Sequence, residues 1–188
     1  MLFKTNQHPL EEFIDESAPF LNEICTHLTE SNIDVSHLEL DHICYRVPTT
    51  DLYEQHKRQF IQHGVLLSEA HIAGRPIATY KLKTPIIYQE ITPLTNNTSQ
   101  LLERQIYLIE LPAPKEPNSY SQGFEHAEFV LTEPFASFIA KHPAVKFNTN
   151  AMTKKHNPDI SLKFPTCSIK FHLQSLEDVI KYEQAVGM

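Results

Sequence analysis

Apolar side chains recur along this chain at two different spacings, and the changes between them mark its elements. Over residues 9–30, Leu10, Phe13, Ile14, Leu21, Ile24, Cys25 and Leu28 keep the three-and-four spacing of one helical face. Pro9 suits a first helical turn, whereas Pro19 is expected to bend this element or divide it into two short helices. Asn32-Ile33-Asp34 breaks the pattern, and from residue 40 the period drops to two. A strand over 40–47 is expected to end at Pro48. Thr49-Thr50-Asp51 then offers capping oxygens to a helix over 51–63, with Leu52, Tyr53, His56 and Phe60 inward and Gly64 as its stop. Strands near 65–72 and 77–83 follow, joined through the turn Ala73-Gly74-Arg75-Pro76. The polar stretch 84–104 contains Pro85 and Pro93 and reads as a loop insertion with a short strand at 85–88. The next strand spans 105–111 and is stopped by Pro112.

Prolines at 112, 114 and 117 make the following segment a stiff linker, after which the order starts again. A strand over 124–131 leads to Thr132 as a cap, Pro134 in a first turn, and a helix with Phe135, Phe138 and Ile139 inward. Strands are expected near 144–149, 159–164 and 167–173. Ser175 caps a last helix whose apolar side is Leu176, Val179, Ile180 and Tyr182. The fold class is therefore α+β: an N-terminal helical arm (1–36), a βαβββ module (37–112), a Pro-rich linker (113–122), and a second βαβββ module with a C-terminal helix (123–188). Element order repeats, while residue identity does not.

Composition narrows the partners. The 188 residues carry 16 Lys and Arg against 23 Asp and Glu, a net charge of −7. No basic cluster is longer than Lys57-Arg58 or Lys154-Lys155, which argues against a nucleic-acid backbone as partner. No apolar run reaches the ~20 residues that span a bilayer, so no membrane partner is expected. Three widely spaced cysteines, Cys25, Cys44 and Cys167, and the lack of a signal-peptide pattern point to a reducing cytoplasm. The sequons at Asn96-Asn97-Thr98-Ser99 mean only a polar surface loop in that setting.

Candidate chemistry lies in two strands. In Gly123-Phe124-Glu125-His126-Ala127-Glu128, His126 and Glu128 are two apart and so share a face. In Leu40-Asp41-His42-Ile43-Cys44-Tyr45-Arg46, a histidine again comes early, with Cys44 and Arg46 on its face. Imidazoles with carboxylates suit Zn²⁺, Ni²⁺, Fe²⁺ or Mn²⁺, and an open position makes such an ion a Lewis acid. A single strand histidine is also explained as a hydrogen-bonded core residue. Arg46 and Arg75 are candidates to hold an anionic or carbonyl-bearing substrate by bidentate contact, with a surface salt bridge as the plainer role. Cys44 fits a small buried thiol, Tyr45 and Tyr80 fit packing residues, and His27, His56, His63 and His142 are expected mostly at the surface.

The paired modules resemble the vicinal oxygen chelate superfamily of glyoxalases, extradiol dioxygenases and bleomycin-resistance proteins. Local matches are closer to its YecM-like branch: 42–47 (His-Ile-Cys-Tyr-Arg-Val), 66–69, 74–77, 109–112, 123–128 (Gly-Phe-Glu-His-Ala-Glu) and 169–172 (Ile-Lys-Phe-His). The resemblance covers roughly 40–180. It implies that the modules form one cupped mixed sheet and that a metal takes one ligand from the first and one from the last strand of each module. Position by position these are His42 and Glu110, then His126 and His172, with His172 standing where the superfamily uses a carboxylate. Glu128 is a further ligand, a general base, or the acceptor that fixes the His126 tautomer.

The leading expectation is a divalent-metal-dependent enzyme acting on a small oxygen-bearing molecule by isomerisation, lyase chemistry or dioxygenation, with Glu128 or Glu110 moving the proton. One rival is a metal-free protein of the same fold that binds or sequesters a small molecule. Another is an interaction module that uses its helical arm. A homodimer is compatible with either.

Overall fold

The computed structural model describes residues 10–93, 99–115 and 121–187. Pro9, Pro117 and the sequon asparagines lie outside them. Helix α1 (Glu11–Glu30) is followed by β1 (Glu39–Arg46), α2 (Thr50–His63), β2 (Gly64–Ile72), β3 (Arg75–Pro93) and β4 (Ser99–Pro112). Then come β5 (Gly123–Val130), α3 (Phe135–Lys141), β6 (Asp159–Lys163), β7 (Ser168–His172) and α4 (Leu176–Ala185). The architecture is α+β, with one seven-stranded mixed sheet in the order β2-β3-β4-β1-β5-β7-β6. β1 and β5 pair antiparallel at its middle. Each is flanked by a parallel partner, β4 beside β1 and β7 beside β5, so the two halves approach the centre in the same way.

The N-terminal helix is not divided. Pro19 sits inside a continuous α1, although an interior proline costs about 3 kcal/mol. Leu10, Phe13, Phe20, Leu21, Ile24 and Leu28 are all buried on its inner side. At about 1.5–3 kcal/mol for each such side chain, packing outweighs the proline. Helix α2 forms as expected, with Thr49 Oγ1 accepting from Leu52 N–H and Gly64 as C-cap. A Cβ on Gly64 would lie 2.7 Å from the Lys81 carbonyl oxygen, so close strand pairing fixes that glycine. The β2–β3 turn puts Ala73 (φ 51) and Gly74 (φ 82) in left-handed conformations, the geometry of a two-residue hairpin.

Five further expectations are corrected. Residues 84–104 are not a loop insertion: β3 and β4 continue pairing from Ile86↔Ile106 out to Pro93↔Ser99. The register breaks once, between Lys81 and Ile86, where Pro85 has no N–H to give the ladder. The extension exists because its inner face carries α1 and the 35–38 turn. Ile86, Tyr88, Arg104 and Ile106 are buried there, and Tyr88 donates to Asn22 Oδ1 (2.9 Å). Arg104 donates to the carbonyls of Val35 and Leu38 and to Glu90, each at 2.9 Å.

The strand expected near 144–149 shrinks to one bridge, Asn148↔Ser161. Asn148 Oδ1 caps the turn by accepting from Asn150 N–H, and the chain leaves the sheet. The cap of α3 is Pro134 rather than Thr132. Tyr182 is exposed on α4, while His56 is buried among Phe13, Tyr45 and Phe60.

Candidate metal centre

Three neighbouring strands at the middle of the sheet bring four ligand-type side chains together. Alternation along β1 turns His42 and Cys44 to one face. Pairing then sets His42 opposite Glu128 and Cys44 opposite His126 on β5, and Cys44 opposite Glu110 on β4. One ligand atom from each of His42, Glu110, His126 and Glu128 lies within 4.8 Å of the others. His42 Nε2 is 3.4 Å from Glu128 Oε1 and 3.9 Å from Glu110 Oε2. His126 Nε2 is 3.0 Å and 3.4 Å from the same two carboxylates. The cluster is nearly dry: His42 is 1%, Glu128 4% and His126 6% exposed.

Strict alternation would send the residue before each histidine to the opposite face. Two register shifts prevent this. Between β1 and β5, Asp41 is skipped in the pairing below His42, and Glu125 is skipped between His126 and Phe124. The extra residue of each bulge is the carboxylate preceding the histidine, and the bulge swings it alongside the ring. Asp41 Oδ2 meets His42 Nδ1 at 2.7 Å and also accepts from the backbone N–H of Leu176, the first residue of α4, at 3.0 Å. Glu125 Oε2 meets His126 Nδ1 and lies 3.2 Å from Arg46 Nη2, while its Oε1 accepts from Ser168 Oγ. These contacts assign the neutral tautomers, because a proton held on Nδ1 leaves the Nε2 lone pair directed into the cluster. His42 Nε2 is buried and has no hydrogen-bond partner. That nitrogen, facing two carboxylates, suits a positive charge: a proton, which gives the charged ring, or a metal ion that displaces the proton.

A cation of the protein's own competes for the site. Lys170 stands opposite Glu128 on β7, with Nζ 2.5 Å from Glu128 Oε1 and 3.1 Å from His126 Nε2. Burial would raise Glu128, but Lys170 and the His42 ring hold it well below the usual carboxylate range. Glu110 is also lowered against burial, by its contact with His126 and by His42. Burial opposes the charging of His42, yet Glu128, Asp41 and Glu110 together push its pKa up to about 10. Glu125, also working against burial, is lowered to about 2 by His126 and Arg46.

The expected set is thus brought together in part. His42, Glu110 and His126 converge, and Glu128 stands with them. His172 does not join that group. It lies on the far side of His42, fully buried, with Nε2 3.6 Å from Asp41 Oδ2 and neither ring nitrogen hydrogen-bonded. Burial lowers its pKa, which suits a neutral ring packed beside the His42–Asp41 pair. Above the cluster opens a cleft of about 500 Å³ walled by Arg46, Arg75, Lys154, His156 and Lys170. Arg46 pairs with Glu125 and Arg75 Nη1 donates to the Ala113 carbonyl, so both guanidiniums are braced at the rim. Sequence reasoning missed Asp41, Glu125 and Lys170 as parts of the site. The Asp-His and Glu-His dipeptides, at the same place in two strands, were the available signal.

Residues 9–183 match the family model described as YecM protein. Protein YecM of Escherichia coli (strain K12) is 27% identical over 191 residues, covering 94% of this chain and 95% of its own length. An uncharacterized protein of Haemophilus influenzae is 29% identical over 102 residues, covering 54% of this chain and 47% of that protein. Among solved structures, the structural-genomics protein EC4020 superposes with a TM-score of 0.69 at 27% identity, covering 98% of this chain and 99% of that one.

Proposed function

The chain belongs to the YecM protein family, and from that premise we propose that it is a divalent-metal-dependent enzyme of the vicinal oxygen chelate type, acting on a small anionic, oxygen-bearing molecule. The observation that carries the reading is the orphaned, buried Nε2 of His42. It faces Glu110 and Glu128 beside a second ring clamped in the same way. His42, His126 and Glu110 would hold the ion, with Glu128 as fourth ligand or proton acceptor, and the N/O donor set suits Zn²⁺, Ni²⁺, Fe²⁺ or Mn²⁺. An ion bound there supplies Lewis acidity to neighbouring substrate oxygens. Asp41 and Glu125 fix the imidazole orientation.

Arg46, Arg75 and Lys170 bind and orient the substrate's negative groups, and the dry floor strengthens each contact. Glu128 is a weak base while Lys170 is paired with it. When a substrate anion draws the ammonium away, Glu128 loses one cationic neighbour and its basicity rises, which suits it to take a proton from the substrate. Isomerisation, lyase chemistry and dioxygenation all fit this arrangement, with the small molecule as cytoplasmic partner.

Metal analysis by mass spectrometry on untagged protein tests the reading. Near-stoichiometric metal in the wild type, lost in both His42→Ala and His126→Ala, is the expected result. No metal in any sample, even after incubation with all four ions, would defeat it. One observation favours the metal-free alternative, a small-molecule binder: Lys170 already neutralises Glu128 without an ion. On that alternative, His42→Ala leaves ligand affinity unchanged.

A further inference from the structure

A second set of metal-ligand side chains lies away from the cleft floor, where α1 meets the turn between β6 and β7. Glu23 and His27 stand four apart on α1 and therefore on one face, and Cys167 comes from the turn. A carboxylate oxygen of Glu23, a ring nitrogen of His27 and the Cys167 sulfur all lie within 4.8 Å of one another. The histidine is oriented from two sides. Its ring stacks on Phe164 at 3.8 Å between centroids and 6° between planes. Its Nδ1 lies 3.7 Å from Glu30 Oε2, which leaves Nε2 toward Glu23, 3.7 Å from Oε1. Glu30 is a longer-range, exposed counterpart of the Asp41 contact, near the ring nitrogen but beyond hydrogen-bond distance. Glu23 also accepts from Thr166 Oγ1, which draws the turn against the helix. Glu23 and Thr166 line an open cleft of about 570 Å³, which opens the carboxylate side of the cluster to solvent.

We propose that Glu23, His27 and Cys167 form a second, thiolate-containing site for Zn²⁺ that staples the N-terminal helix to the β6–β7 turn. A thiolate, an imidazole and a carboxylate are a borderline-soft donor set that selects Zn²⁺ over Mg²⁺ or Ca²⁺. On binding, the Cys167 S–H bond breaks, its proton goes to solvent, and the sulfur donates its electron pair to the ion. Water fills the fourth position from the cleft. The proposal does not depend on the central cluster, whose ligands are nitrogen and oxygen.

The thiolate separates the two sites spectroscopically. Titration of the wild-type chain with Co²⁺, a reporter for Zn²⁺, is expected to raise a near-ultraviolet sulfur-to-cobalt charge-transfer band that excess Zn²⁺ abolishes. The band should vanish in Cys167→Ser, fall at least tenfold in apparent affinity in His27→Gln, and persist in Cys44→Ser, the other thiol near a histidine. His27 is half-buried and stacked on Phe164, and circular dichroism verifies that His27→Gln keeps the fold. No band in the wild type, or a band that survives Cys167→Ser, overturns the proposal.

Discussion

The central cluster makes metal binding a contest with a proton, and its pH dependence follows. In the metal-free protein His42 is flanked by Glu128, Asp41 and Glu110, and its pKa stands at about 10 rather than 6.5. An ion must take the deprotonated Nε2. At every pH below about 10, binding therefore expels one proton from His42, and each unit of pH costs or returns about 1.4 kcal/mol, a factor of ten in affinity. An ordinary histidine would leave affinity level above pH 7. Here it should climb at least about tenfold per unit from pH 7 to 9, because the second ligand ring, His126, is also raised well above its ordinary value.

The carboxylates do not blur the slope, since Glu110 and Glu128 are both lowered and stay ionised throughout. The assay is competition against a chromogenic chelator of known pH-dependent affinity. A second, independent reading is calorimetry in buffers of different ionisation enthalpy, which counts the protons released. At least one per ion is expected at pH 7.5. An affinity that is flat from pH 7 to 9, with no proton released, would refute the claim that the carboxylate cage holds His42 protonated. For metal-free protein the same shift stabilises the fold below pH 6.5 and is lost as pH rises through about 10.

Three other substitutions test neighbouring steps. Lys170→Met removes the ammonium that competes for Glu128, and metal affinity at pH 7.5 should rise about tenfold by the same chelator assay. An unchanged or weaker affinity would show that Lys170 does not contest the site. Arg104→Met strips three hydrogen bonds and leaves two carbonyls and Glu90 unpaired under α1, which should cost about 3–5 kcal/mol in urea unfolding, with the m-value unchanged. Gly64→Ala drives a Cβ onto the Lys81 carbonyl oxygen and should cost about 1–3 kcal/mol, read as a lower melting temperature.

Local pattern alone fixed much of this molecule. Period-two alternation gave β1 and β5, helical spacing gave α1 and α2, and Thr49 and Ser175 cap their helices as their hydroxyls dictate. The histidines at 42 and 126 could be placed on one face of their strands because a strand's period does not depend on its neighbours. What remained hidden depends on partners distant in sequence. A bulge exists only relative to the strand it faces, so nothing within Asp41-His42 or Glu125-His126 announces that adjacent side chains will share a face. Pro19 stays helical because α1 has a sheet to lie on, and residues 84–104 become paired strand because Arg104 and Tyr88 hold that helix. His172 shows the same limit. Its strand and its face are legible in the sequence, but on β7 it stands opposite Val130, two pairs beyond the Lys170–Glu128 contact. Tertiary register alone put Glu128 with the central histidines and left His172 behind them, because the choice among residues on one face is made by which strand lies next to which.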